Sequence, residues 1–162
     1  GQPLPISASA FYNGDLGVRL SGAGAAVRAA RERLGGESIA PDAARTFWLG
    51  VREQTDPFFA GDEPLWRLSV PSIALPLDLP GRQLIEWGGA LRWLKSTAPA
   101  AQVRDAAIRA GGHATLFRAA AGVGNVPVFN TLDATTMAIH RRLKQALDPK
   151  GIFNPGRMYP GL

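Results

Sequence analysis

The chain has 162 residues, 46% of them hydrophobic and 19% charged, no cysteine, and a net charge of +5. That length and balance suit one globular domain with its own core and exclude an intrinsically disordered segment. Without cysteine there are no disulfides, no thiolate metal sites and no cysteine catalysis.

Residues 6–12 and 16–21 are apolar-rich runs around Asn13-Gly14-Asp15, the strongest short hairpin signal because a type I′ turn needs positive φ. Residues 25–34 read as a helix with Val27, Ala30 and Leu34 on one face, an Arg28–Glu32 pair, and Gly35-Gly36 as the stop. A second helix is expected over 41–53. Pro41 sits in its first turn, Asp42 is at the positive end of its dipole, and Phe47, Trp48 and Val51 form its buried stripe. Residues 65–70 read as a strand, with Trp66, Leu68 and Val70 on one face and Arg67 on the other. A connector punctuated by Pro71, Pro76 and Pro80 follows. Residues 84–94 (LIEWGGALRWL) read as a tight hairpin through Gly88-Gly89, placing Trp87 opposite Ala90 and Glu86 opposite Leu91. A third helix spans 99–110, ended by Gly111-Gly112, and a sixth strand spans 113–118. Residues 119–130, with Gly122 and Gly124, form the expected mobile loop. The last helix covers 133–147, with Ile139, Leu143 and Leu147 facing inward and Arg141, Arg142 and Lys144 near its negative end. The order predicts one α+β domain, a sheet of about six strands against helices.

No apolar run approaches the ~18 residues of a membrane span. No charged-then-apolar segment opens the chain, and both features fit a cytoplasmic protein. The chain starts on Gly1 rather than Met, as an excised piece does. Residues 1–80 carry 7 basic and 9 acidic side chains, net −2, whereas residues 81–162 carry 11 and 4, net +7. A basic half suits an anionic partner or simply solvated helix faces. Gly22-Ala-Gly24 imitates a dinucleotide fingerprint but lacks the third glycine and a parallel strand, so it reads as a loop-to-helix joint. The two histidines, His113 and His140, are far apart, so no metal site is expected. His140 reads as a surface residue. His113 opens a strand after two glycines, where functional groups often sit. Core packing is the default for Trp48, Trp66, Trp87 and Trp93, although Trp87 and Arg92 could share a face. Arg67, Arg92 and Arg118 each lie within an expected strand, and each needs an anionic ligand or an internal carboxylate.

The tail reads LDPKGIFNPGR over 147–157, a terminus dense in conformation-setting residues. It resembles the closing motif of FAD-linked oxidases of the vanillyl-alcohol-oxidase type. The stretches LIEWGGALRWLKST (84–97), AGGHAT (110–115), PLWRLSVP (64–71) and REQTDPFF (52–59) resemble the FAD-binding (E) subunits of bacterial glycolate oxidases, so the likeness covers nearly the whole chain. The resemblance implies a C-terminal cap domain, residues 1–162, with a ferredoxin-like antiparallel sheet covering the flavin. It also implies that the N-terminal FAD-binding domain is absent from this chain, which then holds FAD weakly or not at all.

The activity implied is oxidation of glycolate, a 2-hydroxy acid, to glyoxylate with FAD as the redox group. Asn154, Pro155, Gly156 and Arg157 are then the cofactor-contact candidates, and Ile152 and Phe153 would anchor their loop. Asp148 reads as a helix-end residue. A 2-hydroxy acid needs a cation for its carboxylate, for which Arg67 and Arg118 are the candidates. It also needs a base, for which His113 is the candidate. The implied partners are a sister flavoprotein subunit and an iron–sulfur subunit, whose cluster this chain cannot ligate without cysteine. The implied location is the cytoplasm or the periphery of the inner membrane. Related D-2-hydroxy-acid dehydrogenases carry Gly-Glu-His-Gly on the strand after the Gly-Gly turn. Here Thr115-Leu-Phe-Arg118 stands instead, which leaves hydride abstraction open between this subunit and its sister. Two other readings stand beside this one. One is a non-catalytic subunit-docking domain. The other is a nucleic-acid-binding module, for which the aromatic RNA-binding signature is missing.

Overall fold

The computed structural model describes residues 4–121 and 126–162. Six strands form one sheet: β1 (Ile6–Tyr12), β2 (Asp15–Leu20), β3 (Leu65–Ser69), β4 (Arg82–Glu86), β5 (Leu91–Lys95) and β6 (His113–Arg118). Their order across the sheet is β2-β1-β4-β5-β3-β6, with every pairing antiparallel. Four helices accompany it: α1 (Gly24–Leu34), α2 (Pro41–Glu53), α3 (Ala100–Arg109) and α4 (Ala134–Leu147). This is the expected α+β class and element order. Asn13 and Gly14 take positive φ in the β1–β2 turn, as the Asn-Gly signal requires.

Strand alternation sends side chains to two faces, and each face is covered differently. One face carries Trp66, Leu68, Leu94, Ala114 and Leu116, closed by Val103, Ala106 and Ala107 of α3 and by Leu79 of the Pro-rich connector. The other carries Leu65, Leu84, Leu91 and Trp93, closed at one end by Val51 of α2 and by Phe58 and Phe59 of a short 3-10 turn. Phe58, Phe59 and Trp93 meet edge to face along a chain of ring contacts at 5.1 and 5.4 Å, a favoured aromatic geometry.

Several expectations need correction. The 84–94 hairpin keeps the Glu86↔Leu91 register, but residues 87–90 form its connection: Trp87–Gly89 is a 3-10 turn, not strand. Trp87 is therefore not core; it is 66% exposed. Arg92 does not share its face. It is buried on the α3 side and donates to the carbonyls of Ala74, Leu75 and Gly89. In α1 only Ala30 is buried, and Leu34 is exposed. Ile139, Leu143 and Leu147 of α4 do not face inward, because α4 contains no buried residue. Of the expected 119–130 loop, residues 122–125 with Gly122 and Gly124 lie outside the described residues. Residues 128 and 130 are tied to β6, through Leu116 N–H to Val128 O and Ala114 N–H to the Asn130 side chain.

Candidate functional site

Beyond α2 and the 3-10 turn, the second sheet face opens. Register places Glu86, Leu91, Ser69 and His113 in one row across β4, β5, β3 and β6, and Leu84, Trp93, Arg67 and Thr115 in the next. Leu84, Leu91 and Trp93 are buried, Glu86, Arg67, Ser69 and Thr115 are half-buried, and His113 is exposed. Polar groups thus stand on an apolar floor, the usual make-up of a small-molecule site.

Trp87 forms the rim, and its backbone is unusual. Its φ is +52°, a left-handed conformation that is costly for a bulky residue, and Gly88 and Gly89 continue at +60° and +99°. The loop is held from several sides. Gly88 N–H donates to Ser9 Oγ at 3.0 Å, and Arg92 Nε donates to Gly89 O at 3.2 Å. Gly89 has no room for a side chain, since a Cβ would stand 2.7 Å from Ser72 O. The result is an exposed indole fixed over Arg67, whose guanidinium carbon lies 5.8 Å from the ring centroid. Among the described residues Arg67 has no carboxylate partner within ion-pair distance.

Glu86 is the carboxylate of this face. Its Oε2 accepts from Trp93 Nε1 at 2.7 Å. Burial pushes its pKa above the usual carboxylate value, while the Trp93 hydrogen bond and the Arg67 charge pull the other way. The sequence reading missed Glu86 as a functional group. Its expected pairing with Leu91 placed it beside β5, and only the observed β3–β5 register puts it on the Arg67 face.

The sequence-predicted site residues separate into two places. Arg67 and His113 come together on neighbouring strands of the open face. Arg118 does not join them: it pairs with Leu65 at the far end of β6, and its Nη1 donates to Phe59 O at 2.8 Å. His113 is positioned by Gly112, where any Cβ would collide with Ser69 O and stand 2.8 Å from Val70 Cα. Asn154, Pro155, Gly156 and Arg157 lie on the exposed tail after α4. That tail hangs on Asp148, which caps α4 and accepts from Ile152 N–H at 3.0 Å and Phe153 N–H at 2.9 Å. Lys144 bridges to Asp148 at 2.6 Å and holds its carboxyl below the usual range. The expected side-chain anchors are not anchors, since Ile152 and Phe153 are exposed and only their backbone is held. Asn154 adopts a left-handed φ of +46°, which Asn tolerates, and this aims the tight 154–157 turn outward.

The basic half is less basic at its surface than its count suggests. Arg92, Lys95, Arg104, Arg118 and Lys144 each donate to a backbone carbonyl of the chain, those of Arg104 and Lys144 at exposed sites. Arg92 and Lys95 are buried outright. Among the described residues no helix is long and apolar enough to cross a membrane.

Comparison with known proteins adds the following. Residues 97–158 match the family described as FAD linked oxidases, C-terminal domain. The chain is 53% identical over 161 residues to the glycolate oxidase subunit GlcE of Escherichia coli (strain K12), an alignment covering 99% of this chain and 43% of that relative. The chain therefore spans less than half the length of the curated relative it matches. No solved structure matches it.

Proposed function

We propose that this chain, which carries the C-terminal domain of the FAD linked oxidases in residues 97–158, is the flavin-covering cap of a glycolate-oxidising subunit. The observation that carries the reading is the open sheet face. There a half-buried Arg67, with no carboxylate within ion-pair distance among the described residues, lies beneath an indole held in a strained conformation. A guanidinium so placed suits the carboxylate of a small 2-hydroxy acid, and Arg can grip it with two parallel hydrogen bonds.

The residues fit one side of a flavin ring, not a whole FAD. Trp87 and Phe117 offer exposed aromatic surface on this face, and the outward 154–157 turn offers an amide edge. The glycine-bearing joint before α1 follows a strand paired antiparallel with β1, so it is no pyrophosphate cradle. The dinucleotide would be held by a preceding domain of the longer protein. Bound FAD would supply two-electron oxidation. This chain's part is then to orient the substrate carboxylate on Arg67, exclude water over the Leu91–Trp93 floor, and present Asn154 with Pro155, Gly156 and Arg157 towards the ring. By this reading the longer protein works with sister flavoprotein and iron–sulfur subunits, in the cytoplasm or at the periphery of the inner membrane.

The test uses the longer protein that contains this chain, purified with its sister subunits. It should be yellow, and glycolate should bleach the flavin absorbance. Arg67→Met should raise KM by about tenfold or more, the worth of one charge-assisted hydrogen bond or more. A colourless protein that takes up no FAD removes the cofactor assignment.

A second reading, docking of other subunits, rests on the exposed stripe Ile139, Leu143 and Leu147 of α4 with Ile152 and Phe153 beside it. It predicts that Leu143→Glu abolishes complex assembly while leaving glycolate-dependent flavin reduction in the isolated subunit intact.

A further inference from the structure

We propose that Glu86 is the proton-accepting carboxylate of the open sheet face and that Trp93 is its positioning residue. The inference rests on the glycolate reading above and deepens it. It replaces His113 as the base.

Four observations carry it. The carboxylate is fixed: Trp93 Nε1 donates to Oε2 at 2.7 Å, and the Trp93 ring is itself locked edge-on between Phe59 and Phe117 at 5.4 and 5.0 Å. The other oxygen is available: Oε1 accepts no hydrogen bond among the described residues and is not sealed from solvent. The surroundings suit a base, because the buried Leu84, Leu91 and Trp93 replace much of its water, and burial lifts its pKa towards the working range. The partner cation is in place, since Arg67 lies near enough for its charge to act on Glu86. The remaining titratable groups on this face are Tyr12 on β1, Asp15 and Arg19 on β2, His113 on β6, and, at the far end, Arg82 of β4 and Lys95 of β5, both paired with Glu63, and Arg118 of β6, which donates to Phe59 O. The part of α2 over β2 is apolar there, with Phe47 and Trp48 against Gly17. His113 is exposed, has no orienting partner among the described residues, and stands three strands from Glu86, about 14 Å at the usual strand spacing.

The step balances as follows. With the substrate carboxylate on Arg67, a bound oxidised flavin would supply the two-electron acceptor for the Cα–H electron pair. The hydroxyl O–H bond breaks, its electron pair becomes the second carbonyl bond, and its proton goes to Oε1 of Glu86. One aldehyde acid, one reduced flavin and one neutral Glu86 result.

Two measurements test this. In the chain itself, labelled with 15N, the Trp93 indole N–H resonance (assigned by its loss in Trp93→Phe) should titrate with a midpoint above that of an ordinary Glu. Glu86→Gln should abolish that titration. Saturating glycolate should move the midpoint upward, since it adds a negative charge nearby, and Arg67→Met should remove the glycolate effect. In the flavin-loaded longer protein, Glu86→Gln should slow glycolate-driven flavin reduction about 100-fold and erase the acid limb of its pH profile. Substrate affinity should change less than threefold. Trp93→Phe should move that limb to higher pH, because it removes a hydrogen bond to the charged form. The proposal is overturned if the acid limb survives Glu86→Gln, or if His113→Gln is the variant that erases it. It is also overturned if glycolate leaves the indole titration unchanged while the longer protein still oxidises glycolate; the functional reading then stands without it. A longer protein that neither binds FAD nor responds to glycolate removes both.

Discussion

Arg92 offers the sharpest test of how the site is held. It is 3% exposed, and its three donors reach Gly89 O at 3.2 Å, Leu75 O at 2.8 Å and Ala74 O at 2.6 Å. One guanidinium thus ties the Pro-rich connector to the Trp87 loop. Arg92→Met keeps most of the stem and removes all three bonds. Hydrogen bonds to a charged group contribute about 1.5–3 kcal/mol each, so three give a gross loss of several kcal/mol. Against that stands the relief of an expensive desolvation, which burial also expresses as a lowered Arg92 pKa. The net expectation is a loss of about 3 kcal/mol, or a Tm lower by roughly 6–10 °C for a domain of this size. Urea unfolding gives the stability change. Hydrogen exchange should show faster amides at 88–90, the loop that presents Trp87. A loss below about 1 kcal/mol, with 88–90 still protected, would refute the reasoning; Leu77 and Leu79 would then be holding the connector by apolar contact alone.

Further outcomes are expected elsewhere. Gly112→Ala should cost about 3 kcal/mol in urea unfolding, because the added methyl meets the backbone at Ser69, the end of β3, and at Val70 just beyond it. Trp87→Gly should leave stability within about 0.5 kcal/mol of the parent, since relieved left-handed strain offsets lost packing on Arg67, yet it should weaken glycolate binding. Glu86 has a folded pKa above its unfolded value, so stability falls as pH rises from the unfolded towards the folded pKa. Glu86→Gln should flatten that slope in a pH series of urea melts. Asp148 is the opposite case: its folded pKa is depressed by Lys144, so its contribution is present above the unfolded pKa and lost as pH falls through the folded one. Asp148→Asn should speed exchange of the Ile152 and Phe153 amides at neutral pH and remove that pH-dependent contribution from the urea melts.

What the sequence made legible was whatever depends on local period and turn chemistry. Alternation in 65–70 put Trp66 and Leu68 on one face and Arg67 on the other, and the structure keeps that division. The bounds of α2 and β6 fall where Pro41, Gly111-Gly112 and His113 place them. The misses have one physical origin: periodicity says that a segment has an apolar or charged face, never what covers it. Arg92 reads like any strand arginine until a connector 17 and 18 residues upstream in sequence folds its carbonyls over it. Trp87 reads as core by composition, because Gly88-Gly89 announce a turn but nothing local announces that Trp87 joins it in the left-handed region and is lifted out.

The α4 stripe carries the argument one step further. Its 139, 143 and 147 spacing is what a buried helix face looks like, and leaving large aliphatic side chains exposed forgoes about 1.5–3 kcal/mol each. Among the described residues nothing covers that stripe, which lies beside a capped, conformationally fixed tail. Arg67 is likewise a half-buried cation under a strained indole, with no carboxylate within ion-pair distance among the described residues. Helix stripe and open sheet face are thus two unpaid halves of contacts, and a relative more than twice as long as this chain has the length to complete them. If the longer protein buries both, hydrogen exchange of α4 and of the 88–90 loop should slow together on passing from this chain to that protein. Slowing of α4 alone would separate docking from the site.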